Sequence, residues 1–269
     1  MIGPMDTWKA DYLAPSPRYG FEGRIALITD GTQGIGRMLA LALAARGAVP
    51  IIVHDTTDER AQDTVAAIEQ QGVRTISIRA RVEDADDIDF IFSEVKEHFG
   101  RLDFFIVSAE TTTFQAVMQV NLDDLHRSYN GNVRALVLGA QQAIPLMDRG
   151  GRIVVLSNCG SLNASIGAST PPIHAGAEEW ARRIAVEVAS VGINVNVLMV
   201  GMIESDPGIA ASNIGVASSR KTIAPEIPKG RPGSSAEVVG CALFLLSPAS
   251  EYVTGTTVIV DGGLSAVLP

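Results

Sequence analysis

Short, densely apolar runs alternate along the chain with longer stretches in which apolar residues return every three or four positions. The runs are Arg24–Thr29, Pro50–His54, Arg74–Ile78, Asp103–Val107, Arg152–Ser157, Ile193–Met199 and Thr257–Val260. Rich in Val and Ile and largely without period-2 alternation, they read as strands covered on both faces. Between them, helices are expected near residues 34–46, 57–71, 84–99, 121–147, 173–190 and 235–246. In the first, Ile35, Leu39, Leu43 and Arg46 follow one side at helical spacing, with Gly47 as the expected C-terminal stop. Repeated strand–helix order implies a parallel sheet with right-handed crossovers and helices on both faces. The expectation is one doubly wound α/β domain of seven strands.

No internal repeat or linker divides the chain. Residues 1–20 read as a polar N-terminal arm and 21–269 as the domain. Asp206–Gly233 is the irregular exception, rich in Ser, Ala, Gly and Pro. Following the sixth strand of a parallel sheet, it is expected beside the ligand crevice as a substrate lid, with an ordinary surface excursion as the alternative.

Composition narrows the function. The formal charge is -9, and an acidic surface disfavours nucleic acid and anionic membranes as partners. No stretch approaches the roughly 20 apolar residues that span a bilayer. Two cysteines, Cys159 and Cys241, are too few for a disulfide framework, so a cytoplasmic protein with reduced thiols is expected. Cys159 is read as a small buried thiol rather than a nucleophile. His98 and His126 sit in charged helical stretches and read as solvated, and the four histidines lack metal-ligand spacing, so no metal is expected.

Candidate chemistry begins where the first strand runs into Thr29-Asp30-Gly31-Thr32-Gln33-Gly34-Ile35-Gly36 and then a helix. Glycines permit a tight turn and let a pyrophosphate approach the helix N-terminus, where free N–H groups and the helix dipole favour negative charge. The position between first strand and first helix is the context that strengthens such a motif.

From about Phe21 to Gly263 the sequence resembles the short-chain dehydrogenase/reductase family. The turn matches its TGxxxGxG fingerprint except that Asp30 replaces the first glycine. Leu102-Asp103 opens the fourth strand as in the family, and Asn132 falls on the position of a catalytic asparagine. Gly192 through Val197 resembles the sixth strand, and Gly201 through Ser205 the segment after it. Gly230-Arg231-Pro232-Gly233 and Tyr252 through Gly263 resemble the C-terminal signature. The resemblance implies a single-domain Rossmann fold, a small-molecule substrate, and a homodimer or homotetramer. Trp180, Ile184 and Val188 form a helical stripe that belongs either to a subunit interface or to the core. By the same resemblance, the cofactor contacts fall on Gly31, Gln33, Gly34, Ile35, Gly36, Asp55, Val82, Ala109 and Ser205.

The catalytic positions depart from the pattern. The family uses a Tyr followed four residues later by Lys, and none of Tyr12, Tyr19, Tyr129 and Tyr252 has Lys there. Counting back from Gly192 puts Thr170 at the Tyr position and His174 at the Lys position. Asn158 falls where a Ser is usual, and Ser157 takes that place if the loop is one residue shorter. The family's Asn-Asn-Ala-Gly reads Val107-Ser108-Ala109-Glu110, Arg81 replaces an adenine-contacting Asp, and Val200 replaces a Pro. Asp30 and Glu110 bring carboxylates close to the cofactor path, where each is expected to point away or to pair, with Arg81 or Arg37 as the partner. The acidic residue that selects NAD aligns with His54, but neighbouring Asp55 would repel a 2′-phosphate, so NAD is favoured over NADP if a nicotinamide cofactor binds. As a helix cap, Asp55 would have no such role.

Three functions fit. One is an NAD(P)-dependent oxidoreductase on a carbonyl or hydroxyl, with His174 as acid/base and Thr170 and Ser157 only hydrogen-bonding the substrate. The second is a ligand-binding pseudoenzyme. The third is a lyase or dehydratase with His174 or Glu110 as base.

Overall fold

A computed structural model describes residues 20–108, 117–159, 171–204 and 224–267. Chain order runs β1 (Ile25–Ile28), α1 (Gly34–Ala44), β2 (Val49–His54), α2 (Asp58–Glu69), β3 (Ile76–Arg79), α3 (Ala85–Phe99) and β4 (Phe104–Val107). It continues through α4 (Leu122–Tyr129), a π-helical turn (Asn130–Arg134), α5 (Ala135–Ala143), β5 (Arg152–Asn158) and α6 (Pro171–Val188). Last come β6 (Asn194–Val200), α7 (Ser235–Leu246), β7 (Thr257–Val260) and the short α8 (Leu264–Val267).

The seven strands form one sheet in the order β3-β2-β1-β4-β5-β6-β7, every neighbouring pair parallel. Alternate residues of each strand serve opposite layers. Leu27, Phe105, Val107, Ile153 and Val155 pack beneath α3, α5 and α6, whereas Ala26, Ile28, Phe104, Ile106 and Val154 pack beneath α1 and α7. Because both faces are apolar, the strands read as continuous hydrophobic runs. Each large side chain such as Leu27 or Ile106, fully buried here, contributes about 1.5–3 kcal/mol of transfer free energy. Close approach is enforced at Gly139, where an added Cβ would lie 2.6 Å from the Phe105 ring.

The expected 121–147 helix is not continuous. It is broken by the π-helical turn at Asn130–Arg134 and ends in a 3₁₀ turn at Ile144–Leu146. Gly47 does follow α1, at φ 81°, three residues beyond its last helical residue. The N-terminal arm and most of the expected lid lie outside the described residues. The C-terminal end of that segment is fixed: Gly233 N–H donates to the Met202 carbonyl at 2.9 Å, and Glu204 N–H to the Gly233 carbonyl at 2.7 Å. Among the described residues no helix is long and apolar enough to cross a membrane.

Candidate functional site

Strand order reverses between β1 and β4, so the crevice beyond their carboxyl ends is the natural ligand site of this sheet. On one side stands the turn from β1 into α1. Asp30 there has φ 52°, the only positive value at a non-glycine among the described residues. Asp tolerates this left-handed conformation better than most side chains, at a cost of roughly 1–2 kcal/mol. Its carboxylate is turned along the turn, accepting from Gln33 Nε2 at 3.2 Å, and Gln33 Oε1 in turn accepts from Arg60 at 3.1 Å. The expected partner Arg37 instead directs its Nε to Thr64 at 3.2 Å.

The glycines divide the work. Gly31 passes so close to β2 that a Cβ would sit 2.8 Å from Ile52, and a Cβ on Gly36 would collide with the Asp30 carbonyl oxygen. Gly34, at φ 51°, has nothing of the described residues within 4 Å of an added Cβ. Gln33 is the N-cap of α1 and makes no side-chain cap bond. Open space at Gly34 above an uncapped helix N-terminus fits a pyrophosphate. Ile35 opens α1 half-buried behind it.

At the end of β2, His54 is 4% exposed and its Nδ1 has no hydrogen-bond partner among the described residues, while Asp55 is exposed. Thr56 then meets Thr32 of the glycine turn, hydroxyl to hydroxyl at 3.1 Å. Val82 is buried after β3. Beyond β4, Ser108 N–H donates to Thr29 Oγ1 at 2.8 Å, joining both walls of the crevice. Ala109, Glu110 and Ser205 lie outside the described residues.

Of the catalytic candidates, Asn132 is buried within the π-helical turn, its Nδ2 donating to the Ser128 carbonyl at 2.8 Å. Such turns interrupt helices frequently at functional positions. α6 packs against this turn, a Cβ on Gly176 coming within 3.8 Å of Val133. His174, in the first part of α6, is 2% exposed. Thr170 lies outside the described residues. Asn158 is half-buried at the end of β5. Ser157 is buried, and its hydroxyl donates to Glu178 Oε1 at 2.6 Å.

Glu178 was not foreseen, although its place four residues after His174 puts both on one face of α6. Gln33 as the anchor of Asp30, and Arg60 behind it, were likewise missed. Cys159 is buried with Met199, Ile227 and Leu264. His98 and His126 are exposed.

The C-terminal signature braces the crevice from below. Gly201 N–H donates to the Val260 carbonyl at 2.9 Å, and a Cβ on Gly201 would meet Asp261 at 2.6 Å. Burial pushes the Asp261 carboxyl up, but hydrogen bonds from Ser265 and the Gly263 N–H outweigh it and leave the pKa below the usual range. At the start of α7, Arg231 pairs with Glu237 at 2.9 Å, and Glu237 closes a capping box with Ser234. The Arg231 hydrogen bond, backed by that from Ser234 N–H, holds the Glu237 carboxyl at about 2.

A family model described as enoyl-(acyl carrier protein) reductase matches residues 31–265. The 1-cyclohexenylcarbonyl-CoA reductase of Streptomyces collinus is 40% identical, across 91% of this chain and 88% of its own. A hydroxynaphthalene reductase-like protein of Metarhizium anisopliae is 30% identical, across 90% of this chain and 94% of its own. Among solved structures, a short-chain dehydrogenase from Burkholderia cenocepacia in complex with NADP superposes with a TM-score of 0.83. It is 29% identical, covering 91% of this chain and 98% of that one.

Proposed function

Because the chain belongs to the short-chain dehydrogenase/reductase family, we propose that it is a nicotinamide-dependent reductase of an unsaturated acyl thioester. The observations that support this reading are the open turn at Gly34 and a buried imidazole, His174, in the first part of α6. By resemblance, His174 stands where an ammonium is usual. The named relatives are reductases, which favours turnover over a pseudoenzyme or a lyase. They give no support to NAD over NADP, and the solved neighbour holds NADP.

The choice of bond follows from acidity. Reducing a ketone makes an alkoxide, a strong base that needs an acid in contact, and this sequence lacks the Tyr-x-x-x-Lys pair that would supply it. Reducing a C=C conjugated to a thioester puts hydride on the β-carbon and spreads the charge over the α-carbon and the thioester oxygen. Hydrogen bonding at that oxygen and one proton to the α-carbon then complete the reaction.

When bound, a reduced nicotinamide would supply the hydride. Gly31, Gln33, Gly34, Ile35 and Gly36 would hold its phosphates, and Val82 would lie towards its adenine. Asn158 donates to the thioester oxygen. His174 would hold the proton destined for the α-carbon, and Asn132 keeps the π-helical turn in place against α6. Ser157 is committed to Glu178 and stands outside the reaction.

The test is oxidation of NADPH by the purified protein with cyclohex-1-enylcarbonyl-CoA and crotonyl-CoA, against acetoacetyl-CoA and cyclic ketones. Turnover of the enoyl thioesters supports the proposal. Turnover confined to ketones would make the protein a carbonyl reductase, and cofactor binding without any turnover would make it a pseudoenzyme.

A further inference from the structure

We propose that Arg134 is a positioning residue that ties the turn after β3 to the π-helical turn holding Asn132, so that the two sides of the crevice are set as one unit. The inference rests on the nicotinamide-dependent reading above and adds the side chain that couples the cofactor side to the catalytic side.

Arg134 is the last residue of the π-helical turn, and its guanidinium donates to the Glu83 carbonyl, 51 residues away in sequence. Its Nε is buried and has no acceptor among the described residues. An arginine extended into water bears no such desolvation cost, so the inward position is held by the contact to Glu83. The acceptor is a main-chain oxygen, and what the contact fixes is therefore the position of backbone.

The backbone it fixes is a tight turn. Asp84 N–H donates to the Arg81 carbonyl at 2.9 Å, Arg81 N–H to Asp87 Oδ2 at 2.7 Å, and Asp86 N–H to Asp84 Oδ1 at 3.0 Å. These bonds are local and lock the turn to the start of α3. Arg134 adds a tie from a different helical segment, at the residue next to the buried Val82. On its own side, Arg134 follows Asn132 by two residues, and Val133 between them is 3% exposed. A Cβ on Gly176 of α6 comes within 3.8 Å of Val133, two residues after His174. One guanidinium thus joins the turn that carries Val82 to the π-helical turn against which the His174 helix packs. A second tie between the same layers lies elsewhere: Gln142 Nε2 donates to Asp89 Oδ1 at 2.9 Å, about two helical turns beyond Arg134.

Hydrogen exchange of the unliganded whole protein, beside calorimetric titration with NADPH, tests the tie without reliance on turnover. Arg134→Met is expected to speed amide exchange at residues 81–84 and at 128–134 together. It should also weaken NADPH roughly tenfold or more, the loss that follows a hydrogen bond from a charged donor. Arg134→Lys keeps a donor for the carbonyl and should show smaller losses of the same pattern; it carries the test if Arg134→Met does not fold. Gln142→Ala removes the other tie and should leave exchange at both turns and NADPH affinity within about twofold of wild type. Faster exchange at one turn alone, unchanged NADPH affinity in the folded Arg134 variants, or an equal loss in Gln142→Ala would overturn the assignment. A wild type that binds no dinucleotide would overturn the nicotinamide-dependent reading, whereas joint loosening of both turns in Arg134→Met would still uphold the tie.

Discussion

Ser157 donates its hydroxyl to Glu178 Oε1 at 2.6 Å, tying the end of β5 to α6 one helical turn beyond His174. This bond places Ser157 among the supports of the crevice. Ser157→Ala leaves a partly buried carboxylate short of a donor and should lower stability by roughly 1.5–3 kcal/mol, the range for hydrogen bonds to charged groups. Turnover of the folded variant should stay within about threefold of wild type. Urea unfolding beside kinetics checks both, and a rate collapse at unchanged stability would return Ser157 to the chemistry.

His174→Ala and His174→Gln are expected to abolish reduction of enoyl thioesters while dinucleotide affinity stays within about threefold. Retained binding separates loss of the proton source from loss of the fold. Unchanged rates in either variant would remove the imidazole from the mechanism.

Asp30→Gly should leave NADPH affinity within about threefold of wild type. The carboxylate already faces Gln33, so deleting it clears no obstruction. Relief of the left-handed strain and loss of the Gln33 bond oppose one another in stability. Tightening of tenfold or more, measured by calorimetry, would mean that the carboxylate does block the phosphates.

The capping box at α7 gives a pH signature. Glu237 titrates at about 2 in the folded protein, below its ordinary value of 4.5, so the unfolded state binds the proton more readily. Its stabilising effect is therefore complete above pH 4.5 and is lost as pH falls through the folded value, about 2. Glu237→Gln should melt below wild type at neutral pH, with the difference in Tm shrinking from pH 4.5 downwards. A pH-independent difference would show that the charge contributes nothing.

Much of the architecture was legible because each strand is buried on both faces, and an uninterrupted apolar run between helical stretches has few other readings. The 121–147 segment was legible only as helix. Its apolar spacing does not distinguish the usual i→i+4 bonding from the wider π turn that holds Asn132. The site was less legible because its pairings span long stretches of sequence. Ser157 meets Glu178 across 21 residues and Arg60 meets Gln33 across 27. Asp30 and Asp55 were visible as charges, but their directions were not. One is turned to Gln33 and the other lies exposed just past β2.

The central claim is tested most directly by following the label from NADPH deuterated at its transferable hydrogen, with cyclohex-1-enylcarbonyl-CoA as acceptor. The account predicts deuterium on the β-carbon of the saturated thioester and a solvent-derived hydrogen on the α-carbon. No deuterium at the β-carbon, with the C=C intact, would contradict it.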